Sequence, residues 1–320
     1  MTHHDMISGG FAVVMPVYED QEASTRLFRE LYAEYGDLVY VVAVDDGSIK
    51  EPVHIEALES LGLKGVVLTL RRNVGHQRAI AIGLNYVAEH LPGIPCTVVM
   101  DSDGEDTPQS IRQLVLPLLS PQVDVVVAER KSRVETFRFK TFYLIYKSLF
   151  NLLTGRKISF GNFMALKPAG VKRLAAMQEL WMHVAGCVLT SKLRMQTALI
   201  DRGPRYAGQS KMNFVGLALH GFRALMVFAE DVLVRVGIAC ALVAVLTVAG
   251  SVLAIGLKLA GIATPGWFSV ALGILLLMFL QTGAVTLMTL MLTGVVRSGS
   301  QSPIDYRNFV DVVKHANVPV

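Results

Sequence analysis

Two long apolar runs near the C-terminus constrain this chain more than any other feature. Val236 to Leu257 and Trp267 to Val296 are almost free of charge, and each is long enough to cross a bilayer as a helix, since about 20 residues suffice. The 320-residue chain is 52% hydrophobic and 18% charged, with a mean hydropathy of +0.46. This composition excludes a disordered protein and predicts a polar domain followed by two transmembrane helices. Buried core helices are the alternative, but such long apolar runs are rare in soluble domains.

The flanking charges predict how the two spans are oriented. Arg223 and Arg235 precede the first span and Arg297 follows the second, whereas the turn from Lys258 to Gly266 carries one lysine. Positive charge concentrates on the cytoplasmic side, so both chain ends are expected in the cytoplasm. The first ten residues lack the basic start and apolar stretch of a signal peptide. The sequence therefore predicts a multi-pass protein of the cytoplasmic membrane.

Net charge and cysteine content narrow the possible partners. A net charge of +4 is too mild for a dedicated nucleic-acid binder, and it suits a protein beside an anionic lipid surface. The three cysteines are far apart and form no CxxC motif, which predicts neither a disulfide framework nor a zinc site. A small-residue pattern from Gly250 to Gly261 would permit helix packing in a homo-oligomer, or would simply face lipid.

The remainder of the chain reads as alternating strands and helices. Five short runs rich in valine alternate with stretches whose apolar residues recur every three or four positions. The predicted strands are Phe11 to Pro16, Val39 to Val44, Val66 to Leu70, Thr97 to Met100 and Val123 to Ala128. The predicted helices are Gln21 to Tyr35, Pro52 to Ser60, Gln77 to His90 and Pro108 to Leu119. This order predicts an α/β fold with a doubly wound, mostly parallel sheet.

The domain organisation follows from these patterns. We expect a cytoplasmic α/β domain over residues 1–212, a juxtamembrane amphipathic segment over 213–235, two transmembrane helices within 236–296, and a cytoplasmic tail over 297–320. The aromatic and basic stretch from Phe137 to Leu153 is typical of an interfacial helix or of a core helix. Asn213 to Val234 has the same character.

Acidic turns follow three of the predicted strands. They contain Glu19 and Asp20, Asp45 and Asp46, and the run DSDGED that starts at Asp101. The carboxyl ends of parallel strands meet at one edge of the sheet, where ligands of such folds bind. Crowded carboxylates need a cation, and hard oxygen ligands favour Mg²⁺ or Mn²⁺. An isolated DxD is usually a solvated turn and Asp-Asp-Gly-Ser can be a helix cap, but their joint placement favours a metal-held diphosphate. No GxGxxG or GxxxxGK[ST] motif is present.

The motif order resembles a known enzyme family. The series PVYED, DDGS, RNVGHQRAIAIG, DSDGED, AERKSR, GNF and RGPRYAGQSKM is similar to that of the inverting family 2 glycosyltransferases of GT-A fold. More narrowly, it resembles the membrane-anchored branch that contains dolichyl-phosphate mannose synthase and bacterial undecaprenyl-phosphate sugar transferases. The likeness spans roughly residues 11–235, and as an ordered set it is specific.

The resemblance implies roles for named residues. Asp101 and Asp103 would hold the sugar diphosphate through Mg²⁺ or Mn²⁺. Asn73 and Gly75 would shape the nucleotide pocket, although a plain helix start explains them nearly as well. The residues implied to contact the base and ribose of a nucleotide sugar are Pro16, Tyr18, Asp20, Asp45 and Asp46.

Basic residues complete the predicted site. Arg202, Arg205 and Lys211 lie in a Gly-rich segment just ahead of the membrane-proximal region, which suits phosphate binding. The alternative is membrane anchoring without a ligand. Arg130 and Arg133 have a weaker claim to neutralise the leaving diphosphate.

The motif at residues 161–163 bears on the acceptor. Many polyprenyl-type relatives have GDF where this chain has Gly161-Asn162-Phe163, and Asn cannot act as a base. A polyprenyl phosphate is already ionised and needs none, whereas a hydroxyl acceptor would need Asp103, Asp106 or His183. The QxxRW motif of processive relatives is absent from the sequence. The expected activity is transfer of one sugar from a UDP- or GDP-sugar to a polyprenyl phosphate. The alternatives are transfer to a glycolipid or glycan hydroxyl, or a non-catalytic scaffold on a degenerate transferase fold.

Overall fold

The computed structural model describes residues 9–130, 148–157, 159–206, 214–262, 264, 266–298 and 304–317. The chain divides into two compact units. The first, here called the sheet unit, comprises residues 1–141, 158–227 and 303–320; the second, the helical unit, comprises 142–157 and 228–302.

The sheet unit is built on one mixed, mostly parallel sheet of eight strands in the order β7-β5-β6-β4-β1-β2-β3-β8. The strands are β1 Phe11–Val17, β2 Val39–Asp45, β3 Lys64–Leu70, β4 Thr97–Val99, β5 Val125–Arg130, β6 Phe160–Leu166, β7 Met195–Ile200 and β8 Val310–Ala316. The neighbours β4-β1-β2-β3 are parallel, as are β5 and β7. Strand β6 runs antiparallel between β4 and β5, and β8 runs antiparallel to β3.

Helices cover both faces of this sheet. In the sheet unit they are α1 Gln21–Tyr35, α2 Glu56–Glu59, α3 His76–His90, α4 Pro108–Val115, α5 Pro168–Ala175, α6 Val184–Thr190 and α7 Phe214–Val227. Alternate residues of β1 face opposite cores: Val13 and Met15 pack with Phe28 of α1, whereas Val14 packs with Ile80 of α3. Burial on both faces explains the continuous apolar runs of the central strands. The predicted α/β sheet and its first five strands are confirmed.

Three strands have no counterpart in the sequence prediction. Strand β6 contains the GNF motif, and β7 is largely exposed, so neither shows the apolar run of a buried parallel strand. Strand β8 lies within residues 297–320, which were expected to form a tail, yet it pairs with β3 from Gly65 to Leu70. Its exposed residues are those of an edge strand.

Side chains hold the C-terminal segment on the sheet unit. The Tyr306 hydroxyl donates to Glu89 Oε2 at 2.8 Å and lies 3.1 Å from His90 Nε2. The Phe309 ring lies 5.6 Å from that of Trp181, and Ala316 is fully buried in the core. Residues on either side of the helical unit therefore belong to the same fold.

The helical unit consists mainly of α8 Ala229–Leu259 and α9 Trp267–Ser298. A Cβ on Gly250 would lie 3.4 Å from Leu275, and one on Gly237 would lie 4.0 Å from Thr289, so the two helices run in opposite directions as a hairpin. Both are long and apolar enough to cross a membrane. Large side chains such as Leu253 and Leu277 are about two-thirds exposed, which suits helices surrounded by lipid.

Burial of β8 can be tested by substitution. Ala316→Asp is expected to lower the free energy of unfolding by about 3 kcal/mol or more, because it places an unpaired charge in the core beside β3. Val313→Asp, on the same strand but 45% exposed, is the control and should cost about 1 kcal/mol or less. Thermal unfolding of the full chain in detergent measures both; equal effects would contradict the packing of β8 described above.

Candidate active site

The turn after β1 is held by one carboxylate. Glu19 adopts a positive φ of 48°, and its carboxylate accepts the backbone N–H groups of Ile49 at 2.8 Å, Lys50 at 3.0 Å and Glu51 at 2.7 Å. These bonds lower the pKa of Glu19, those from Ile49 and Glu51 most strongly. The adjacent Tyr18 leaves 43% of its surface exposed at this edge of the sheet.

Asp45 and Asp46, at the end of β2, are buried and bonded to backbone. Asp45 accepts the N–H of Ser48 and of Val53, each at 3.0 Å. Asp46 accepts the N–H of Val74 at 2.7 Å and of Gly75 at 3.0 Å. Both carboxylates therefore shape the loops around them. Burial raises the pKa of Asp46, although these two N–H donors oppose the shift.

Gly47 lets the loops after β2 and β3 meet. It has a φ of +71°, and a Cβ at this position would lie 2.5 Å from the carbonyl carbon of Arg72 and 2.6 Å from the nitrogen of Asn73. Only glycine allows this approach without moving backbone. The turn from Asn73 to Gly75 is thereby held beside Asp46, directly before α3 begins.

The acidic turn after β4 folds back on itself. The N–H of Asp101 donates to Asp106 Oδ2 at 3.0 Å, and the N–H of Glu105 donates to Asp103 Oδ1 at 3.0 Å. Asp103 is 8% exposed. Burial raises the pKa of Asp103 and the like charge of Asp101 raises it further, while Arg205 lowers it. Two carboxylates thus lie close enough to repel each other.

The basic segment after β7 docks on this turn. Arg205 pairs with Asp103, and Arg202 pairs with Glu105. Backbone bonds support the ion pairs: the N–H of Tyr206 donates to the Asp103 carbonyl and that of Gly203 to the Glu105 carbonyl, each at 2.9 Å. The basic residues of RGPRY therefore lie at the acidic turn.

An aromatic contact strengthens this docking. The Tyr206 ring lies against Gly104, where a Cβ would approach the ring to 2.4 Å. Its hydroxyl donates to Glu30, and the Arg26 guanidinium lies 4.1 Å from the centre of the ring. Helix α1 thereby contacts the basic segment.

A polar network lies beside Asp101. His76 Nε2 lies 3.2 Å from Asp101 Oδ1 and 3.0 Å from Asn162 Nδ2. Gln77 donates from Nε2 to Asn162 Oδ1 at 3.1 Å and accepts the backbone N–H of Val184 at 2.7 Å. His183 is buried, and its Nδ1 accepts the N–H of Gly186 at the start of α6.

Asp101 and Asn162 of this network border a cleft at the carboxyl ends of β4, β5 and β7. The cleft is lined by Asp101, Glu105, Asp106, Ala128, Gly161, Asn162, Phe163, Ile200, Asp201 and Arg202. Carboxylates form one side, while Ala128, Phe163 and Ile200 provide apolar surface.

The donor set fits a hard divalent cation. No group of three metal-ligating side chains occurs among the residues that the structure describes. Mg²⁺ is usually held by one or two carboxylates together with substrate phosphates, and the carboxylates of Asp101 and Asp103 fit that pattern. Burial and then repulsion by Asp101 raise the pKa of Asp103, and a bound cation would offset both effects.

The structure brings most predicted site residues to one edge. Pro16 is buried within β1, Asp20 lies before the first residue of α1, and Asn73 is exposed. Arg130 is the last residue of β5, and its side chain is outside the described part. Lys211, Arg133 and residues 137–147 of the predicted interfacial helix also lie outside the described residues.

Other residues at this edge were not singled out from the sequence. His76 and Gln77 belong to RNVGHQ, Glu105 to DSDGED and Tyr206 to RGPRY. Their position inside these motifs was the only sequence feature that could have identified these four residues. The residues that they contact are distant in sequence, so only the fold shows the contacts.

Comparison with known proteins agrees with this geometry. The family model described as "Glycosyl transferase family 2" matches residues 12–177. An uncharacterised glycosyltransferase of Synechocystis sp. is 26% identical over 88% of both chains. An undecaprenyl-phosphate 4-deoxy-4-formamido-L-arabinose transferase of Sodalis glossinidius is 31% identical, over 45% of this chain and 44% of that protein.

A solved structure shows the same fold. Glucosyl-3-phosphoglycerate synthase of Mycobacterium tuberculosis, in complex with Mn²⁺, UDP and phosphoglyceric acid, gives a TM-score of 0.53 at 15% identity. The similarity covers 72% of this chain and 82% of that one. With a family model that matches more than half of its length and a GT-A-like sheet that places the acidic motifs on one edge, the chain belongs to glycosyl transferase family 2.

Proposed function

We propose that this glycosyltransferase moves one sugar from a UDP- or GDP-sugar to a polyprenyl phosphate, with inversion, at the cytoplasmic face of a membrane. The observation that carries the proposal is the acidic turn after β4 paired with Arg202 and Arg205, in a chain that continues into two apolar helices. The undecaprenyl-phosphate transferase relatives, which align with somewhat less than half of this chain, support a lipid-linked acceptor by their names.

The nucleoside end of the donor would lie beside the first two strands. Tyr18 offers an exposed ring there, and the neighbouring Asp45 and Asp46 hold the loops that would frame base and ribose. Pro16 and Asp20 flank this position in sequence, and Asn73 with Gly75 would border the pocket. Mn²⁺ and UDP in the solved relative support a donor of this class.

The diphosphate would lie over the acidic turn. Asp101 and Asp103 would hold a Mg²⁺ or Mn²⁺ ion that offsets charge on the diphosphate. Arg202 and Arg205 already lie at this turn and would donate to phosphate oxygens, with Lys211 and Arg130 as further proposed cations.

The acceptor oxygen would attack the anomeric carbon from the face opposite the leaving group. A new bond forms between that carbon and the acceptor phosphate oxygen, and the bond to the nucleoside diphosphate breaks. No proton has to be removed, because a phosphate monoester is ionised near pH 7. This matches a site with Asn162 in its wall and with His183 used as a helix cap.

The strand order supports the proposed orientation. If α8 and α9 span a membrane, the chain crosses twice and returns to the side where it began. Strand β8, after the helices, pairs with β3, before them, so both ends must lie on one side. The basic residues that flank the two helices support the cytoplasm as that side.

The transferase reaction can be tested at Asp103. Asp103→Asn should lower lipid-linked transfer at least a hundredfold, because a neutral amide neither binds the cation strongly nor pairs with Arg205. Full-length protein in nanodiscs is incubated with Mn²⁺, undecaprenyl phosphate and labelled UDP- and GDP-sugars, and label in the organic phase is counted.

The control for this assay is Asp37→Asn, an exposed position that should transfer like wild type. Donor hydrolysis lost in Asp103→Asn, without any lipid label in wild type, would assign a different acceptor, such as a hydroxyl. If the wild-type protein shows neither lipid-linked transfer nor donor hydrolysis with any of the UDP- and GDP-sugars, the result would contradict a catalytic role and favour a scaffold.

The proposed donor pocket depends on Gly47. Gly47→Ala should weaken UDP binding about tenfold or more, because the new Cβ pushes the backbone at Arg72 and Asn73 away from Asp46. Gly93→Ala is the control, since an added Cβ there meets no atom within 4 Å. Calorimetric titration with UDP and Mn²⁺ measures both, and equal affinities would argue against a nucleotide pocket beside this turn.

Membrane orientation can be tested by labelling. In a Cys240→Ser background, Ile262→Cys lies between the helices and should react with a membrane-impermeant maleimide in intact cells. Val313→Cys on β8 should react only after permeabilisation. The opposite pattern would place the sheet unit outside the cytoplasm.

A further inference from the structure

The amide of Asn162 is oriented by a hydrogen-bond chain that begins at the backbone. The N–H of Val184 can only donate, so the Gln77 atom 2.7 Å from it is the carbonyl oxygen. The other end of the Gln77 amide is then Nε2, which donates to Asn162 at 3.1 Å. The Asn162 atom facing Gln77 must therefore be its oxygen, and Nδ2 points away from Gln77.

Gln77 is well placed to impose this orientation. It is 4% exposed and sits at the start of α3, directly after the turn that Asp46 holds. Its two bonds join α3 to β6 on one side and to the start of α6 on the other. Reversal of the Gln77 amide would set two N–H groups against each other at Val184, at the cost of a buried hydrogen bond.

The exposed end of the Asn162 amide therefore carries hydrogen-bond donors. Nδ2 carries two hydrogens and lies 3.0 Å from His76 Nε2. The same ring nitrogen lies 3.2 Å from Asp101 Oδ1, so it can accept from Asn162 only in the tautomer that carries no hydrogen there. Asn162 lines the cleft together with Asp101 and Arg202. An aspartate here would accept the same bond from Gln77 but would present a second negative oxygen to an already acidic cleft.

We propose that Asn162 is a specificity-determining residue whose amide N–H donates to an anionic phosphate oxygen of a substrate in the cleft, and that Gln77 is the positioning residue that orients it. The inference deepens the proposed function and rests on it for the identity of that substrate. The oxygen belongs to the acceptor phosphate or to the donor diphosphate, and the two sources are separated below.

The test reverses the amide without altering the cleft wall. Gln77→Glu can still accept from Val184 but has no donor for Asn162, so the amide should rotate and present its oxygen to the cleft. Asn162→Asp replaces the donor directly and keeps the bond from Gln77. Gln109→Glu, at an exposed position of α4, is the matched control for added charge.

Two dissociation constants are measured by calorimetry on the full chain in detergent with Mn²⁺: that of UDP and that of a short-chain isoprenyl monophosphate. Gln77→Glu and Asn162→Asp should each weaken the same ligand about tenfold, while Gln109→Glu binds like wild type. Weaker binding of the monophosphate would show that Asn162 contacts the acceptor phosphate, and weaker binding of UDP would show that it contacts the donor diphosphate. Thermal unfolding checks that the buried Gln77→Glu variant folds; if it does not, Asn162→Asp alone decides.

Several outcomes would overturn the inference. These are wild-type affinities for both ligands in Asn162→Asp, a folded Gln77→Glu variant that binds like wild type, or a wild-type chain that binds neither anion. A chain that binds and discriminates as expected but transfers no sugar to polyprenyl phosphate would instead refute the proposed acceptor and leave the role of Asn162 intact.

Discussion

Crowding of carboxylates at the carboxyl ends of parallel strands is the constraint on which the candidate site depends. Each negative charge that is taken out of water there needs donors or a cation. The chain meets this need in two ways. Asp45, Asp46 and Glu19 accept backbone N–H groups, whereas Asp103 and Glu105 pair with Arg205 and Arg202. The loops of the site take their shape from these bonds.

The two solutions divide the carboxylates by role. A carboxylate bonded to backbone N–H groups is fixed together with its loop, so Asp45 and Asp46 hold the loops that follow β2 and β3. A carboxylate oxygen paired with an arginine can exchange that partner for a cation. Asp103 accepts the backbone N–H of Glu105 with Oδ1 and pairs with Arg205 through Oδ2, so Oδ2 is the oxygen that a cation could take. The same arginines would then be free to bind phosphate, so one ion-pair cluster could serve both the resting site and the loaded site.

Most of the sheet could be predicted, because its buried parallel strands have valine-rich sequences that are easy to recognise. Strands β1 to β5 have that signature, and the acidic motifs follow three of them. Strands β6, β7 and β8 lack it: one carries a polar motif, and the other two are edge strands with exposed residues. The pairing of β8 with β3 joins positions separated by the whole helical unit, a contact that no local pattern encodes.

The same holds for the site: its residues could be predicted from local sequence motifs, but the contacts between distant segments could not. The acidic turns, the basic segment and the family resemblance predict that Asp101, Asp103, Arg202 and Arg205 belong to the site. Which arginine pairs with which carboxylate depends on the docking of the segment after β7. The orientation of Asn162 depends on Val184 through Gln77, so it required the positions of three separate elements.

The proposed function requires that the acidic edge of the sheet bind a nucleoside diphosphate through a divalent cation. Its most direct test is calorimetric titration of the full chain with UDP and with GDP, each in the presence of Mn²⁺ and in the presence of EDTA. At least one nucleotide is expected to bind with Mn²⁺, and EDTA should abolish this binding. Binding that is indifferent to the metal, or no binding of either nucleotide, would contradict it.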